Sequence, residues 1–204
     1  MVINKMRVIY KYVLLITFLT LNSCTQKMDI NKFSLNEPKL VLENYFSGTL
    51  EAWGLFHDRF GNLKRQFRVK IVGKINDQSQ LVLDESFLYD DGETENRVWT
   101  IDILGDGRYQ GRADDVIGVA NGIAVGNALN WKYELLLNVK DNKIKVSFDD
   151  WMFLQDKGVL INRAELSKFG INLGVVTISF LKLYLYSHAN FAAKTTISGS
   201  SPFT

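Results

Sequence analysis

The 204-residue chain has one cysteine, two prolines and two histidines, and each scarcity removes a class of explanation. With Cys24 alone, no disulfide can form within the chain, so a folded domain of this size must rest on its hydrophobic core. Pro38 and Pro202 leave the long stretch between them free of the residue that most disrupts a strand ladder. His57 and His188 supply neither a His-based metal site nor a Cys–His pair. No Gly-x-Ser-x-Gly elbow occurs, and His57, just before the turn Asp58 to Asn62, reads as a surface residue. The expectation is a protein that is not an enzyme, binds no metal and needs no cofactor.

Charge of one sign is also missing. The formal net charge is +2, and losing Lys5, Arg7 and Lys11 with an N-terminal signal leaves 21 basic residues against 22 acidic ones, a net charge of −1. Such a domain offers no electrostatic footprint for nucleic acid. Apolar residues, by contrast, are ample: 47% hydrophobic and 12% aromatic suit one globular domain.

The first 23 residues read as a secretion signal. Lys5, Arg7 and Lys11 precede an apolar run from Tyr12 to Leu21, and Asn22 and Ser23 lead to Cys24. The run is too short for a membrane-spanning helix, which needs roughly 20 apolar residues. Leu21-Asn22-Ser23-Cys24 resembles the bacterial lipobox, which makes Cys24 the expected lipidation site; the alternative is an ordinary signal with an incidental cysteine. Residues 24–37 read as a polar tether and 187–204 as a disordered tail. Thr25, where an aspartate would favour inner-membrane retention, leaves open the route to the outer membrane, facing the periplasm.

Residues 38–186 read as a run of strands. Leu63, Phe67, Val69 and Ile71 alternate with Lys64, Gln66, Arg68 and Lys70, the pattern of a half-buried strand, and similar segments follow at 81–89, 97–104, 108–120, 129–139, 143–154, 159–169 and 173–186. Turn signals such as Asp91-Gly92, Gly105-Asp106-Gly107 and Lys157-Gly158 separate them. Eight to ten strands joined by short hairpins predict an all-β fold: a single antiparallel up-and-down barrel, closed so that no edge is exposed. The outward parity of the second strand carries Lys64, Arg68, Lys70 and Lys74, which excludes a barrel surrounded by lipid.

Glu51-Ala52-Trp53-Gly54-Leu55-Phe56, Arg97-Val98-Trp99, Ala113-Asp114-Asp115-Val116, Gly126-Asn127-Ala128-Leu129-Asn130-Trp131-Lys132-Tyr133, Phe148-Asp149-Asp150-Trp151-Met152 and Asn162-Arg163-Ala164, with the lipobox, occur in order along the chain. Together they resemble an uncharacterised family of Gram-negative lipoproteins classed as a domain of unknown function. The resemblance implies a lipocalin-like (calycin-like) barrel and an envelope location, and carries over no catalytic residue.

Strand parity places a small set of charges on the apolar face: Arg65, Glu85, Arg97, Asp114, Asp150, Arg163 and Glu165. A charge inside a small barrel must be paired or reach water. Either these residues pair at the barrel ends and fix register, or they line a ligand cavity and orient a polar head group. In the second case Trp53, Trp99, Trp131, Tyr133, Phe67 and Phe87 form its apolar wall. Gly118, Gly122 and Gly126 are not a phosphate loop, since no Lys-Ser/Thr follows; they fit strand bends or a hairpin at Asn121-Gly122. The pairs Asp114-Asp115 and Asp149-Asp150 read as strand neighbours that point to opposite faces and cannot share an ion, and Asp90-Asp91, in a turn beside Glu93, lacks calcium-loop spacing.

The sequence therefore predicts a membrane-anchored protein whose barrel binds or shields a small apolar ligand such as a lipid or fatty acid. A structural module of an envelope complex is the second reading and a carboxylate enzyme acting on lipid or glycan the third; no protein partner is named by the sequence. Replacing Cys24 with Ser should move the protein from the membrane to the soluble fraction on cell fractionation. Unchanged membrane association would mean that the lipobox is fortuitous.

Overall fold

The period-two alternation becomes ten antiparallel strands in the computed structural model, which describes residues 28–139 and 142–182. They are β1 (Gly48–Asp58), β2 (Leu63–Ile75), β3 (Leu81–Tyr89), β4 (Thr94–Gly105), β5 (Arg108–Arg112), β6 (Ala120–Val125), β7 (Ala128–Val139), β8 (Asn142–Leu154), β9 (Leu160–Lys168) and β10 (Ile171–Lys182). Each pairs with its sequence neighbour, and β1 pairs with β10 from Leu50 opposite Lys182 to Asp58 opposite Gly174. The sheet is thus a closed up-and-down barrel, as the strand pattern predicts.

The hairpins turn where the turn residues stand. Gly92, Gly105, Asp106, Gly107, Lys157 and Gly158 all have the positive φ that such connections require. One expected strand is different. The segment 108–120 is not continuous: β5 stops at Arg112, and a loop carries the chain to β6 at Ala120. The next hairpin lies at Gly126-Asn127 rather than Asn121-Gly122, and Gly126 adopts φ +57°. Gly122 is instead a strand residue covered by an indole: a Cβ there would lie 2.1 Å from Trp131 Cε3.

The two ends of the barrel differ. At the end where β1 begins, a short helix, α1 (Leu42–Phe46), closes the opening with Leu42, Tyr45 and Phe46, all buried. Burying each such side chain contributes on the order of 1.5–3 kcal/mol. Polar contacts fix the helix to the rim. The Tyr45 hydroxyl reaches the carbonyls of Gly158 (3.0 Å) and Phe180 (3.3 Å), and Lys182 Nζ donates to the Asn44 carbonyl at 2.7 Å. Tyr109 donates to Glu43 Oε2 at 2.9 Å, and with burial this pushes its phenol up to about 12.

The stretch read as tether is in part docked on the same end. A single 3-10 turn (Ile30–Phe33), capped by the Asp29 side chain, lies against the outside of β6 and β7. Phe33 packs on Trp151 and Phe153, with ring centroids 6.2 Å and 5.3 Å apart. From Asp29 onward the chain is therefore part of the domain. Cys24, the expected tail 187–204 and residues 183–186 of the expected last strand lie outside the described residues.

Gly73, on β2, is what lets α1 sit so close. A Cβ at this position would lie 1.8 Å from the Phe46 carbonyl oxygen. Gly73→Ala should push the helix outward and destabilise the fold by about 1–3 kcal/mol, read as a lower urea midpoint.

Candidate functional site

Above α1 the barrel is hollow. A cavity of about 330 Å³, within the range of ligand pockets, runs from the helix towards the opposite end. Its floor is Leu42 and Phe46, and its walls include Ile71, Leu83, Trp99, Trp131 and Phe180. Trp99 meets Trp131 and Tyr133 edge to face, at 5.8 Å and 5.5 Å. Tyr133 stacks on Phe148 at 4.9 Å.

The polar groups collect in the upper half. At the mouth, Arg65 pairs with Asp91 Oδ2 at 3.1 Å and with Glu93, and its guanidinium lies 3.6 Å from the centroid of the Tyr89 ring. The Tyr89 hydroxyl donates to Glu95 Oε2 at 2.7 Å, and burial together with this carboxylate raises the phenol above its ordinary value. Deeper, Arg97 Nη2 is 2.7 Å from Asp115 Oδ2 and 3.4 Å from Glu95 Oε1, and the guanidinium rests 5.5 Å from the Phe87 centroid. Arg97 Nε and Asp115 Oδ1 are buried without a partner.

Two further carboxyls face the cavity. Asp150 has both oxygens engaged: Oδ1 accepts from Asn162 Nδ2, and Oδ2 accepts from the Tyr133 hydroxyl at 3.4 Å. Burial pushes Asp150 up to about 7 against the pull of those two donors. Glu85 stands opposite Ile71 on one side and Arg97 on the other. Its carboxyl makes no hydrogen bond or close ion pair among the described residues, and its open part faces the cavity. Burial raises Glu85 to about 7, opposed by the charge of Arg97 and reinforced by Asp115, Glu95 and Asp150.

Of the residues read from strand parity, Arg65, Phe67, Glu85, Phe87, Arg97, Trp99, Trp131, Tyr133 and Asp150 line this one cavity. Four do not. Trp53 is 49% exposed on the outer wall, because Leu50, Ala52 and Gly54 take the inward parity of β1. Arg163 and Glu165 pair with each other at 2.6 Å outside the barrel, since Leu160, Asn162, Ala164 and Leu166 are the buried members of β9. Asp114 is exposed, and its neighbour Asp115 turns to Arg97. Tyr89, Glu95 and Asn162 also line the cavity; in the sequence each shares the parity of an inward neighbour, the only signal that marks them.

These shifts fix the sign of a pH dependence. Glu85 and Asp150, ordinarily near 4.5 and 3.8, hold their protons up to about 7 in the fold. The folded state therefore binds more protons than the unfolded one between about 4 and 7, and stability falls as pH rises through that window. The carboxyls of Asp58, Asp91 and Asp102 are lowered by their hydrogen bonds and act below pH 4 instead. Urea midpoints should fall from pH 5 to pH 8, and Glu85→Gln should remove part of the fall, up to about 3 kcal/mol.

The family model described as "Protein of unknown function (DUF3833)" matches residues 18–182. No curated protein sequence matches the chain. Among solved structures, the chain is similar to a protein of unknown function from the DUF3598 family of Nostoc punctiforme. The identity is 14% and the TM-score 0.51; the similarity covers 71% of this chain and 49% of the other, about half of that protein's length. At such identity the likeness speaks for the fold alone. With four-fifths of its residues inside the family match, the chain belongs to the DUF3833 family, whose function is unknown.

Proposed function

We propose that this protein is a lipid-anchored envelope lipoprotein whose lipocalin-like barrel binds and shields a small, mostly apolar ligand of the lipid class. The observation that carries the reading is the cavity itself: about 330 Å³, floored by Leu42 and Phe46, walled by aromatic and aliphatic side chains, and polar only in its upper half. A barrel meant only as a scaffold gains stability from a filled interior, because each empty volume forfeits packing. An apolar hollow with a few convergent polar groups is the form that ligand sites take.

The reading is non-enzymatic. Acid–base chemistry by two carboxyls uses environments that push their pKa values apart, whereas Glu85 and Asp150 are both pushed up to about 7. Anchorage rests on Leu21-Asn22-Ser23-Cys24, with Thr25 leaving open the default route to the outer membrane and a periplasmic barrel. The membrane, through the N-terminal lipid, and the ligand are the partners in this reading; the near-neutral charge gives nucleic acid no part.

Native mass spectrometry of the full-length protein extracted from its own membranes should show a bound species of lipid-like mass. Ala164, buried on the cavity wall, offers a control: Ala164→Phe should reduce the adduct in protein that still unfolds cooperatively. An empty cavity in membrane-derived protein would sink the proposal.

A further inference from the structure

Hydrogen-bond and charge accounting inside the cavity goes further than its size and apolar wall. Both arginines are already committed. Arg65 is held by Asp91, Glu93 and the Tyr89 ring, and Arg97 by Asp115, Glu95 and the Phe87 ring. Arg65 thus faces two carboxylates and Arg97 three, since Glu85 also acts on its charge, so acid outnumbers base around both cations even though Arg97 Nε keeps a free N–H. Asp150 already accepts at both oxygens, from Asn162 and from Tyr133. Glu85 is the remaining acid, and it has no donor.

We infer that the ligand's polar end is a cationic amine seated on Glu85, with its apolar body lying below against Leu83, Trp99 and Trp131, and that carboxylate-headed lipids are excluded. This deepens the container reading above and rests on it. Leu83 and Glu85 are successive inward residues of β3, and Trp99 and Arg97 occupy the same two levels of β4, so the boundary between apolar and acidic wall falls just at Glu85. A ligand carboxylate placed there would meet Glu95 and Asp115, and also Glu85 and Asp150 wherever these have lost their protons. Like charges held this close in a poorly hydrated space are strongly unfavourable. An ammonium group reverses the balance: it supplies the donor Glu85 lacks and neutralises an excess acid. The raised proton affinity of Glu85 is the mark of the same unmet demand, because burial without a close partner disfavours its charged form. Of the ligands the sequence suggests, the fatty acid is therefore the one with the wrong head group.

The test uses three chains of equal length and different heads: dodecylamine, dodecanoate and methyl dodecanoate. Each is titrated into the purified full-length protein in a non-ionic detergent at pH 7, with occupancy read by native mass spectrometry. Dodecylamine is expected to bind at least tenfold more tightly than dodecanoate. Glu85→Gln should lower the affinity for the amine about tenfold and leave the methyl ester unchanged, which also checks that the variant keeps its cavity. Binding of dodecanoate as tight as that of the amine overturns the inference while leaving the container intact. So does an amine affinity indifferent to Glu85→Gln. If no chain binds, ester included, the container reading itself falls.

Discussion

The ladder between β1 and β10 joins segments more than 100 residues apart in sequence, and everything inside the barrel depends on it. Each of the other nine pairings is local, made by a chain doubling back on itself. Without the closing seam those hairpins would form a curved open sheet with two free edges, and the charged residues of one face would meet water. With it, Glu85, Arg97 and Asp150 are removed from bulk solvent together. Their environment is a property of the closed wall rather than of any one strand, which is why both carboxyls hold protons at pH values where an exposed acid has lost them. Closure of so non-local a contact also places this fold among the slower-folding topologies.

The helix α1 sets the second condition. A barrel open at both ends would drain its interior to solvent from each side, and the acids would be hydrated. The buried Leu42, Tyr45 and Phe46, pinned at Gly158, Phe180 and Lys182, make one end apolar and leave polar groups to gather at the other. The polarity of the cavity along its axis follows from that asymmetry. Arg65, Tyr89 and Glu95 stand on strand ends next to the open mouth, where ion pairs with Asp91 and Glu93 can still be reached by water.

The strand pattern made the fold legible, because inward and outward positions differ so sharply in β2 and β3 and because turn glycines fall between strands. The site was legible only where that contrast is strong. In β9 the correct face, Leu160-Asn162-Ala164-Leu166, includes a polar and a small residue, while the outer face contains Ile161, so the alternation reads equally well in either register and Arg163 and Glu165 seem to point inward. A slip of one residue exchanges the two faces entirely. In β1 the largest side chain, Trp53, lies outside, and the inward positions are filled by Ala52 and Gly54, the latter beneath the Phe67 ring. Size is a poor guide where a neighbouring strand supplies the bulk. The loop that breaks 108–120, and with it the choice of Asp115 over Asp114, has no period to read. Helix α1 leaves no mark in the sequence: five residues carry too few turns for a helical stripe to show.

The docked 3-10 turn has a consequence for topography. Phe33 holds the start of the domain against Trp151 and Phe153, beside the sealed end and across the barrel from the mouth. Asp29 is five residues from Cys24, a span of at most about 18 Å when fully extended. A lipid on Cys24 would hang the barrel like a cup fixed by its base, with the rim turned away from the bilayer that holds it. Anything entering such a cup would arrive from the aqueous side or from a surface facing it, and an anchoring membrane would be a mooring rather than a source.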